Sequence, residues 1–189
     1  MYEIFKAYLN RYISISENEW QLIKSRLYTD KAYKGEILLY INQVCQNTYF
    51  IAEGSMRTFY IQENGNEATR LILFENETMA ALSSFINQQP SEEALQALEN
   101  CRLLRMSRQD FYELLQLIPK WETYFRMRLE AAQVLNTWRM EGFLSMDAKN
   151  RYMYLLQNKP EMVQRLPNRI IASYLGITQE SLSRIKAKK

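Results

Sequence analysis

Four polar side chains near the C-terminus could make specific chemical contacts: Gln179, Glu180, Ser183 and Arg184. The apolar residues between them recur at helical spacing, which predicts a helix with these four on its outer face. Glutamine can form two hydrogen bonds with adenine and arginine two with guanine, while glutamate can accept one from cytosine. The chemistry that this face could perform is therefore the recognition of base edges in DNA.

A helix-turn-helix over residues 168–187 would position this face. We expect Asn168 to cap the first helix, Gly176 to adopt a positive φ in the turn, and Thr178 to cap the second helix. Asn168 and Thr178 are also predicted DNA contacts. The apolar residues expected to lock the two helices together are Ile171, Leu175, Ile177, Leu182 and Ile185. The lysines expected to contact phosphate groups are Lys186, Lys188 and Lys189. The alternative is a helical hairpin whose polar face is only solvated.

Charge is distributed unevenly along the chain. Residues 149–189 carry nine Lys and Arg against two Asp and Glu, a net charge of +7, whereas residues 1–148 carry 15 against 19, a net charge of −4. A basic segment at the end of a mildly acidic body is typical of proteins that bind nucleic acid at one end. A solvated basic tail is the alternative that charge alone leaves open.

Two residue types that often carry catalysis and metal binding are scarce. The sequence contains no histidine, which excludes Ser-His-Asp and Cys-His catalysis and histidine-containing metal sites. Its two cysteines, Cys45 and Cys101, are far apart and in no metal-binding spacing. We therefore predict that the chain is not an enzyme and that it needs no cofactor and no metal.

The same two cysteines favour a reducing compartment, because they provide no disulfide framework. The N-terminus lacks the continuous apolar segment of a signal peptide. The longest aliphatic stretch near it, Ile37 to Ile41, is too short to cross a bilayer. We expect a cytoplasmic protein with no membrane partner.

The pattern changes from helical to alternating after two N-terminal helices. Ser16 and Glu19 form a capping box that starts the second of these helices. Short apolar runs separated by turn residues then predict one antiparallel β unit, of the sandwich or barrel type, over residues 30–107. Asn64-Gly65 lies between two alternating runs and predicts a hairpin with a type I′ turn.

A long helix is predicted over residues 120–142, where neither proline nor internal glycine occurs. The residues of its apolar stripe are Trp121, Phe125, Leu129, Ala132, Leu135 and Trp138. The stripe favours a parallel coiled coil between two copies, so these six are the predicted dimer interface. A surface helix packed on its own domain is the alternative. We expect Gly142 and Ser145 to end the helix in a hinge, and Ser145 or Asp147 to cap the next helix.

Two arginines interrupt this stripe. A charged residue at the seam of a coiled coil needs a partner of opposite charge. We therefore expect Arg128 and Arg139 to pair with Glu130 or Glu141.

Across nearly its whole length the chain resembles the Crp/Fnr family of bacterial transcription regulators. The stretches that carry the resemblance are the N-terminal helices, KGEILLYINQVCQNTYFIAEGSMRTFYIQENGNEATRLILF, the helix over 120–142 and, most specifically, IASYLGITQESLSRI. The resemblance implies a cyclic-nucleotide-binding-like β-roll, a long dimerisation helix and a C-terminal helix-turn-helix. It also places the base-reading positions of the family on Gln179, Glu180 and Arg184.

The implied fold class is α+β. Residues 1–119 would form the effector domain, an antiparallel β-roll of the double-stranded β-helix or jelly-roll type. Residues 120–144 would form the dimerisation helix and hinge, and residues 145–189 a small all-α helix-turn-helix domain. The β-hairpin wing that the family carries after its recognition helix is not expected, because only Lys188 and Lys189 follow the predicted helix-turn-helix in this sequence.

The effector pocket departs from the pattern of family members that bind cyclic nucleotides. In them a Gly-Glu pair and an Arg followed by Ser/Thr-Ala hold the ribose and the cyclic phosphate. Here Ala80 or Ala81 stands at the position of the Glu. Ser91, Glu92 and Glu93 occupy the phosphate-binding segment, where carboxylates would repel a phosphate. The predicted lining of the pocket is Phe59, Leu71, Leu73, Ala80, Ala81, Phe85 and Glu92. Ordinary core packing is the alternative role for its apolar members.

Together these inferences predict a homodimer that regulates transcription by binding specific sequences of double-stranded DNA and that does not bind cyclic AMP. No effector is assigned. The alternative is a ligand-binding or signalling module whose C-terminal hairpin docks a protein. The two functions differ in whether Gln179, Glu180 and Arg184 face solvent on a basic surface.

Overall fold

A computed structural model describes residues 1–187 of the 189-residue chain. Two compact units are present. One consists of Met1–Thr58 with Ile72–Glu130, and the other of Phe59–Leu71 with the residues from Ala131 onward. The three-part division expected from the sequence stays a prediction. No helix in the described part of the chain is both long and apolar enough to cross a membrane.

Strands in the described residues form two four-stranded sheets. They are β1 (Tyr28–Ala32), β2 (Ile37–Leu39), β3 (Asn47–Glu53), β4 (Met56–Ile61), β5 (Glu67–Leu73), β6 (Thr78–Met79), β7 (Ala94–Ala97) and β8 (Cys101–Ser107). The strand orders are β1-β8-β3-β6 and β2-β7-β4-β5, and consecutive strands lie mostly in different sheets. This alternation of antiparallel strands is the arrangement of a jelly roll, which confirms the predicted β-roll.

Helices precede and follow the β-roll, and one short helix lies between its strands β6 and β7. They are α1 (Tyr2–Leu9), α2 (Glu17–Lys24), α3 (Leu82–Asn87), α4 (Arg108–Leu117), α5 (Pro119–Ser145), α6 (Ala148–Asn158), α7 (Pro160–Arg165), α8 (Asn168–Leu175) and α9 (Gln179–Ala187). The long helix α5 has 27 residues, which at ~1.5 Å per residue gives a length of about 40 Å. The α+β class predicted from the sequence is therefore confirmed.

Local start signals explain where several helices begin. At α2, Ser16 Oγ accepts from the Glu19 backbone N–H, and the Glu19 carboxylate accepts from the Ser16 N–H, so the predicted capping box is formed. Ser107 Oγ accepts from the Asp110 N–H at the start of α4. Of the two residues expected to cap α6, Asp147 does so, by accepting from the Asn150 N–H at 2.8 Å.

An aromatic cluster anchors helices α1, α4 and α5 on strand β3 in the first unit. Its members are Phe5, Tyr8, Phe50, Phe111, Trp121 and Tyr124. Trp121 lies 5.4 Å from Phe111 between ring centroids and is only 1% exposed. The prediction that Trp121 belongs to a dimer interface is therefore wrong, because its side chain belongs to the core of its own protomer.

The hairpin between β4 and β5 is present, but its turn differs from the predicted type I′. That turn would need a positive φ at both Asn64 and Gly65, whereas only Gly65 has one, at +81°. The Gly65 N–H donates to the Gln62 carbonyl at 2.8 Å, and the Asn64 side chain accepts from the Asn66 N–H. The amide oxygen of Asn64 thus stabilises a loop in which Gly65, and not Asn64, has the left-handed conformation.

The predicted end of the long helix is confirmed at Ser145 but not at Gly142, and the hinge stays a prediction. Helix α5 continues through Gly142 and ends at Ser145. A glycine in a helix interior costs only about 1 kcal/mol relative to alanine, which the rest of a long helix outweighs. Ser145 contributes to the end of the helix, since its hydroxyl donates to the Glu141 carbonyl at 2.7 Å.

Three short elements could not be anticipated from the sequence pattern. In strand β1 only the last residue, Ala32, is buried, because the strand lies at the edge of its sheet and pairs only with β8. Strand β6 has two residues and helix α3 has six. Segments of this length give no measurable periodicity.

Candidate nucleic-acid interface

Helices α8 and α9 form a tightly connected pair. Gly176 follows α8 with φ +67° and ψ +37°, the left-handed conformation predicted for it. The Ile177 N–H then donates to the Ala172 carbonyl at 3.0 Å, and Thr178 Oγ1 accepts from the Ser181 N–H at 3.2 Å, which caps α9 as predicted. The side chain of Leu182 is fully buried in this unit. The pair therefore has the connection of a helix-turn-helix.

The outer face of α9 carries the four polar residues singled out in the sequence. Gln179, Glu180, Ser183 and Arg184 are all exposed. A hydrogen bond from its own backbone N–H, and a smaller contribution from the Thr178 hydroxyl, lower the pKa of the Glu180 carboxyl. Glu180 is therefore ionised at neutral pH and can only accept hydrogen bonds. The face offers amide, hydroxyl and guanidinium donors next to one carboxylate acceptor.

Two other predicted contact residues are bound to each other. Lys186 Nζ donates to Asn168 Oδ1 at 2.6 Å, and both side chains are half-buried. The predicted cap at Asn168 is wrong, because Pro167 takes the N-cap position and no side chain caps α8. Pro167 has φ −61° and an extended ψ, so this residue provides the non-helical conformation of an N-cap without a side-chain hydrogen bond. Lys188 and Lys189 lie outside the described residues.

The start of strand β5 packs against α8 within the second unit. The N–H of Thr69 and its Oγ1 each lie 2.9 Å from Ser173 Oγ. Ser173 Oγ in turn donates to the Glu67 carbonyl at 2.7 Å, and the Glu67 carboxylate pairs with Arg169 at 3.0 Å. These contacts hold the first helix of the pair against the hairpin. No sequence motif predicts them.

The predicted stripe on α5 divides into buried and exposed parts. Phe125, Leu129 and Ala132 are half-buried, and Phe125 contacts Phe111 with ring centroids 5.0 Å apart. Leu135 and Trp138 are exposed, although Trp138 packs edge-on against Tyr154 at 4.4 Å in the second unit. The apolar residues on the C-terminal half of α5 with the greatest exposure are Val134 (68%), Met140 (58%) and Leu144 (81%).

Neither arginine of the stripe has the predicted partner. Arg128 pairs with Glu77 at 3.1 Å in the first unit, while Glu130 pairs with Arg126 one helical turn away. Arg139 donates to the carbonyl oxygens of Thr69 at 2.7 Å and Tyr174 at 3.0 Å instead of to a carboxylate. Both arginines bind groups within one chain, which periodicity on a single helix cannot reveal.

The predicted effector-pocket residues have mixed environments. Phe59, Ala81 and Phe85 are buried, Leu71, Leu73 and Ala80 are half-buried, and Glu92 is exposed. Phe85 packs edge-on against Phe111, with ring centroids 5.7 Å apart, as ordinary core packing would place it. Ala80 and Ala81 lie between β6 and α3, and Ala81 is the N-cap of α3 without a side-chain cap.

Polar groups near the expected phosphate segment already have partners. Ser91 is buried, and its hydroxyl donates to the Glu93 carbonyl at 2.7 Å while accepting from the Glu93 N–H. Arg57 on β4 is also completely buried, and its Nε donates to Gln96 Oε1 at 2.8 Å. This buried arginine inside the β-roll is a feature that the alternating pattern of β4 did not predict.

Comparisons with known proteins agree with this architecture. Residues 30–117 match the family model of the cyclic nucleotide-binding domain. The chain is similar to the c-di-GMP-responsive global regulator CLP of Xanthomonas campestris, with a TM-score of 0.74 and 16% identity over 92% of this chain and 91% of that one. It is also similar to a transcriptional regulator of the Crp/Fnr family from Eubacterium rectale, with a TM-score of 0.72 and 19% identity over 90% and 82% of the two chains. The chain has the fold of the Crp/Fnr regulators.

This finding confirms the family resemblance of the sequence. Within the Crp/Fnr fold, the family match covers the β-roll and ends with α4, before the long helix α5. The potassium channel KOR1 of Oryza sativa subsp. japonica is 29% identical over 97 residues, which are 51% of this chain. The chain spans only 11% of the length of that channel.

Proposed function

We propose that the protein is a homodimeric transcription regulator that binds specific DNA sequences through α9. The observation that carries this proposal is the exposed polar face of α9 on a helix-turn-helix whose turn and cap are both formed. The C-terminal segment that holds it has a net charge of +7, which favours attraction to the phosphate backbone. The Crp/Fnr fold is consistent with this function.

Individual side chains on α9 have separate roles in this proposal. Gln179 and Glu180 lie in the first turn, where the N-terminal end of a recognition helix approaches base edges in the major groove. Arg184 lies one turn further along the same face and is the residue suited to guanine. Lys188 and Lys189 would bind phosphate groups. The phosphate contacts would fix the register of the protein on the DNA, and the contacts with base edges would provide sequence specificity.

The bond between Asn168 and Lys186 limits their proposed part in DNA binding. Lys186 Nζ could reach a phosphate only by releasing Asn168 Oδ1, or by using one of its two other N–H groups. We therefore assign the pair mainly to holding α8 and α9 together. Thr178 is assigned first to the cap of α9, since its Oγ1 accepts from the Ser181 N–H.

Dimerisation is proposed to use the C-terminal half of α5. Val134 and Leu144 are among the most exposed large apolar side chains of the described residues. Exposed apolar side chains of this kind along one helix are typical of a surface that binds a partner. A two-fold dimer would present two copies of α9 to successive major grooves about 34 Å apart.

The β-roll is proposed to be a sensor domain that does not bind cyclic AMP. Alanine stands where the family resemblance requires glutamate, and the Ser91 hydroxyl is engaged by the backbone of Glu93. Arg57 is completely buried and donates to Gln96, so it is not placed to bind a cyclic phosphate without rearrangement. The effector is left unassigned. We also propose that the protein acts in the cytoplasm and is not an enzyme.

Selection of binding sites from random duplex DNA tests the proposal. The purified full chain should enrich one sequence family at low and at moderate salt, and that family should be an inverted repeat with half-sites about one helical turn apart. Protein carrying Gln179→Ala and Arg184→Ala together should enrich no such family. Equal recovery of all sequences by the wild type would contradict specific binding. It would favour a module whose C-terminal hairpin docks a protein.

A further inference from the structure

A cavity of about 220 Å³ lies within the second unit, away from the proposed DNA-reading face. Its walls come from the C-terminal half of α5, from α6 and from the end of α8, and none of the described residues of α9 lines it. Apolar and aromatic side chains dominate the wall: Leu135, Trp138, Phe143, Tyr154, Tyr174 and Leu175. Such a wall suits the apolar part of a small ligand.

The charged residues of the wall are mostly basic. They are Arg139, Arg151 and Lys159 against a single carboxylate, Glu141. Arg139 has no carboxylate within ion-pair distance in residues 1–187. Burial lowers its pKa, since the charged form has lost water without gaining a counter-ion. The cavity is therefore an apolar space next to a positive charge that lacks an anion.

The guanidinium of Arg139 is only partly satisfied. Its Nη2 donates to the carbonyl oxygens of Thr69 and Tyr174, and its central carbon lies 4.0 Å from the centroid of the Tyr174 ring. Its Nη1 has almost no accessible surface and makes no hydrogen bond with the described residues. Buried polar groups in native proteins nearly always have a partner, so Arg139, which lines the cavity, retains unused hydrogen-bonding capacity beside it.

We propose that this cavity binds a small apolar carboxylate, with its carboxylate on Arg139 and its apolar body against Trp138 and Tyr154. A carboxylate matches the guanidinium in charge and geometry and would supply the counter-ion that Arg139 lacks among the described residues. The volume is below the 300–1,000 Å³ or so that is usual for drug-sized ligands, which limits the body to about one ring with a short chain. An apolar side chain from a second copy could fill the space but could not satisfy Arg139.

Three compounds that differ only in the head group test this proposal by calorimetric titration of the full chain. They are 4-phenylbutyrate, 4-phenylbutanol and 4-phenylbutylamine. The carboxylate should bind about tenfold or more tightly than the alcohol, because it makes a charge-assisted hydrogen bond, and the amine should not bind. Equal affinity for all three compounds would overturn the proposal, since it would show unspecific apolar binding.

Two variants locate the site. A Cβ added at Gly142, which lines the cavity, meets no atom within 4 Å, so Gly142→Leu should fold, fill the space and abolish binding of the carboxylate. The control Asn136→Leu adds the same side chain to an exposed position of α5 outside the wall and should bind like the wild type. Arg139→Gln should reduce the affinity for 4-phenylbutyrate to that for the alcohol. Binding that survives Gly142→Leu would overturn the proposal even if Arg139→Gln fails to fold.

Binding would differ if a second copy of the chain, and not a small carboxylate, occupied the cavity. If the α5 face of a partner covered the cavity, wild-type protein would bind no compound, whereas the charged variant Val134→Glu, designed to be monomeric, would bind. That outcome, or the absence of binding to both proteins, would overturn the proposal. The test does not depend on DNA binding, so failure of the proposed regulator function would leave its result unchanged.

Discussion

Thr69 and Ser173 are 104 residues apart in the sequence, yet the backbone N–H and the hydroxyl of Thr69 each lie 2.9 Å from Ser173 Oγ. Because Ser173 Oγ also donates to the Glu67 carbonyl, it must accept from both Thr69 groups. A hydroxyl has one donor and two acceptor sites, and all three are used here. This single side chain connects the start of β5 to the first helix of the helix-turn-helix.

Replacing Ser173 should therefore destabilise the second unit. Ser173→Ala removes the acceptor of the Thr69 N–H and the donor to the Glu67 carbonyl, at a cost of about 1–3 kcal/mol for each hydrogen bond that is lost in a buried position. The control Ser183→Ala removes an exposed hydroxyl on α9 and should change the free energy of unfolding by less than about 0.5 kcal/mol. Urea denaturation followed by circular dichroism measures both, and equal stability of the two variants would show that the Ser173 bonds contribute nothing net.

Gly176 should tolerate no side chain. Its φ of +67° disfavours any residue with a Cβ by about 1–2 kcal/mol, and a Cβ would lie 2.9 Å from Phe143 Cε1. Gly65→Ala is the matched control in the same unit, because its φ is also positive but a Cβ there meets no atom within 4 Å. Gly176→Ala should lower the free energy of unfolding more than Gly65→Ala. An equal loss in the two variants would mean that Phe143 moves aside without cost, and a smaller loss in Gly176→Ala would contradict the prediction.

Local signals in the sequence were enough to predict several parts of the fold and of the candidate site. The capping box at Ser16, the turn at Gly176 and the cap at Thr178 each depend on residues within a few positions of one another, and all are present. The exposure of Gln179 and Arg184 followed from helical periodicity in the same way. Such features are predictable because residues close in the sequence determine them, whatever the tertiary packing.

Contacts between distant segments were not predictable from one sequence. Trp121 matched a coiled-coil stripe but packs in an aromatic core with Phe111, since the stripe does not reveal what another helix offers. Arg139 looked like a seam residue and instead binds the Thr69 and Tyr174 carbonyls. The Ser173 contact has no local signal at all. In each case the partner was set by tertiary packing.

A charge on the exposed face of α5 should separate the proposed dimer. Val134 is 68% exposed, so Val134→Glu should fold as the wild type does, while placing like charges opposite each other in the interface. Asn136→Glu adds the same charge to an exposed residue two positions further on, which points about 160° away on the helix. In analytical ultracentrifugation at micromolar concentration we expect a dimer for the wild type and for Asn136→Glu, and a monomer for Val134→Glu. A monomeric wild type would refute the proposed dimer.

Cyclic AMP should not bind to the β-roll with useful affinity. The segment of Ser91, Glu92 and Glu93 offers carboxylates where a phosphate would need a positive charge, and Arg57 is buried against Gln96. Isothermal titration of the full chain with cyclic AMP should give no saturable heat up to millimolar concentration. Micromolar binding would contradict this expectation, and loss of that binding in Arg57→Gln would then identify Arg57 as the source of the positive charge.

The central claim is that α9 reads DNA bases, and Arg184 tests it most directly. Fluorescence anisotropy should compare wild type, Arg184→Ala and the control Arg126→Ala, which removes one exposed positive charge from the first unit. Each protein is titrated with the selected duplex and with a random duplex at several salt concentrations. We predict that Arg184→Ala loses about 1–3 kcal/mol of affinity for the selected duplex and much less for the random one, while Arg126→Ala binds both as the wild type does. An equal loss on both duplexes would make Arg184 a phosphate contact, and no loss on either would contradict DNA reading by α9.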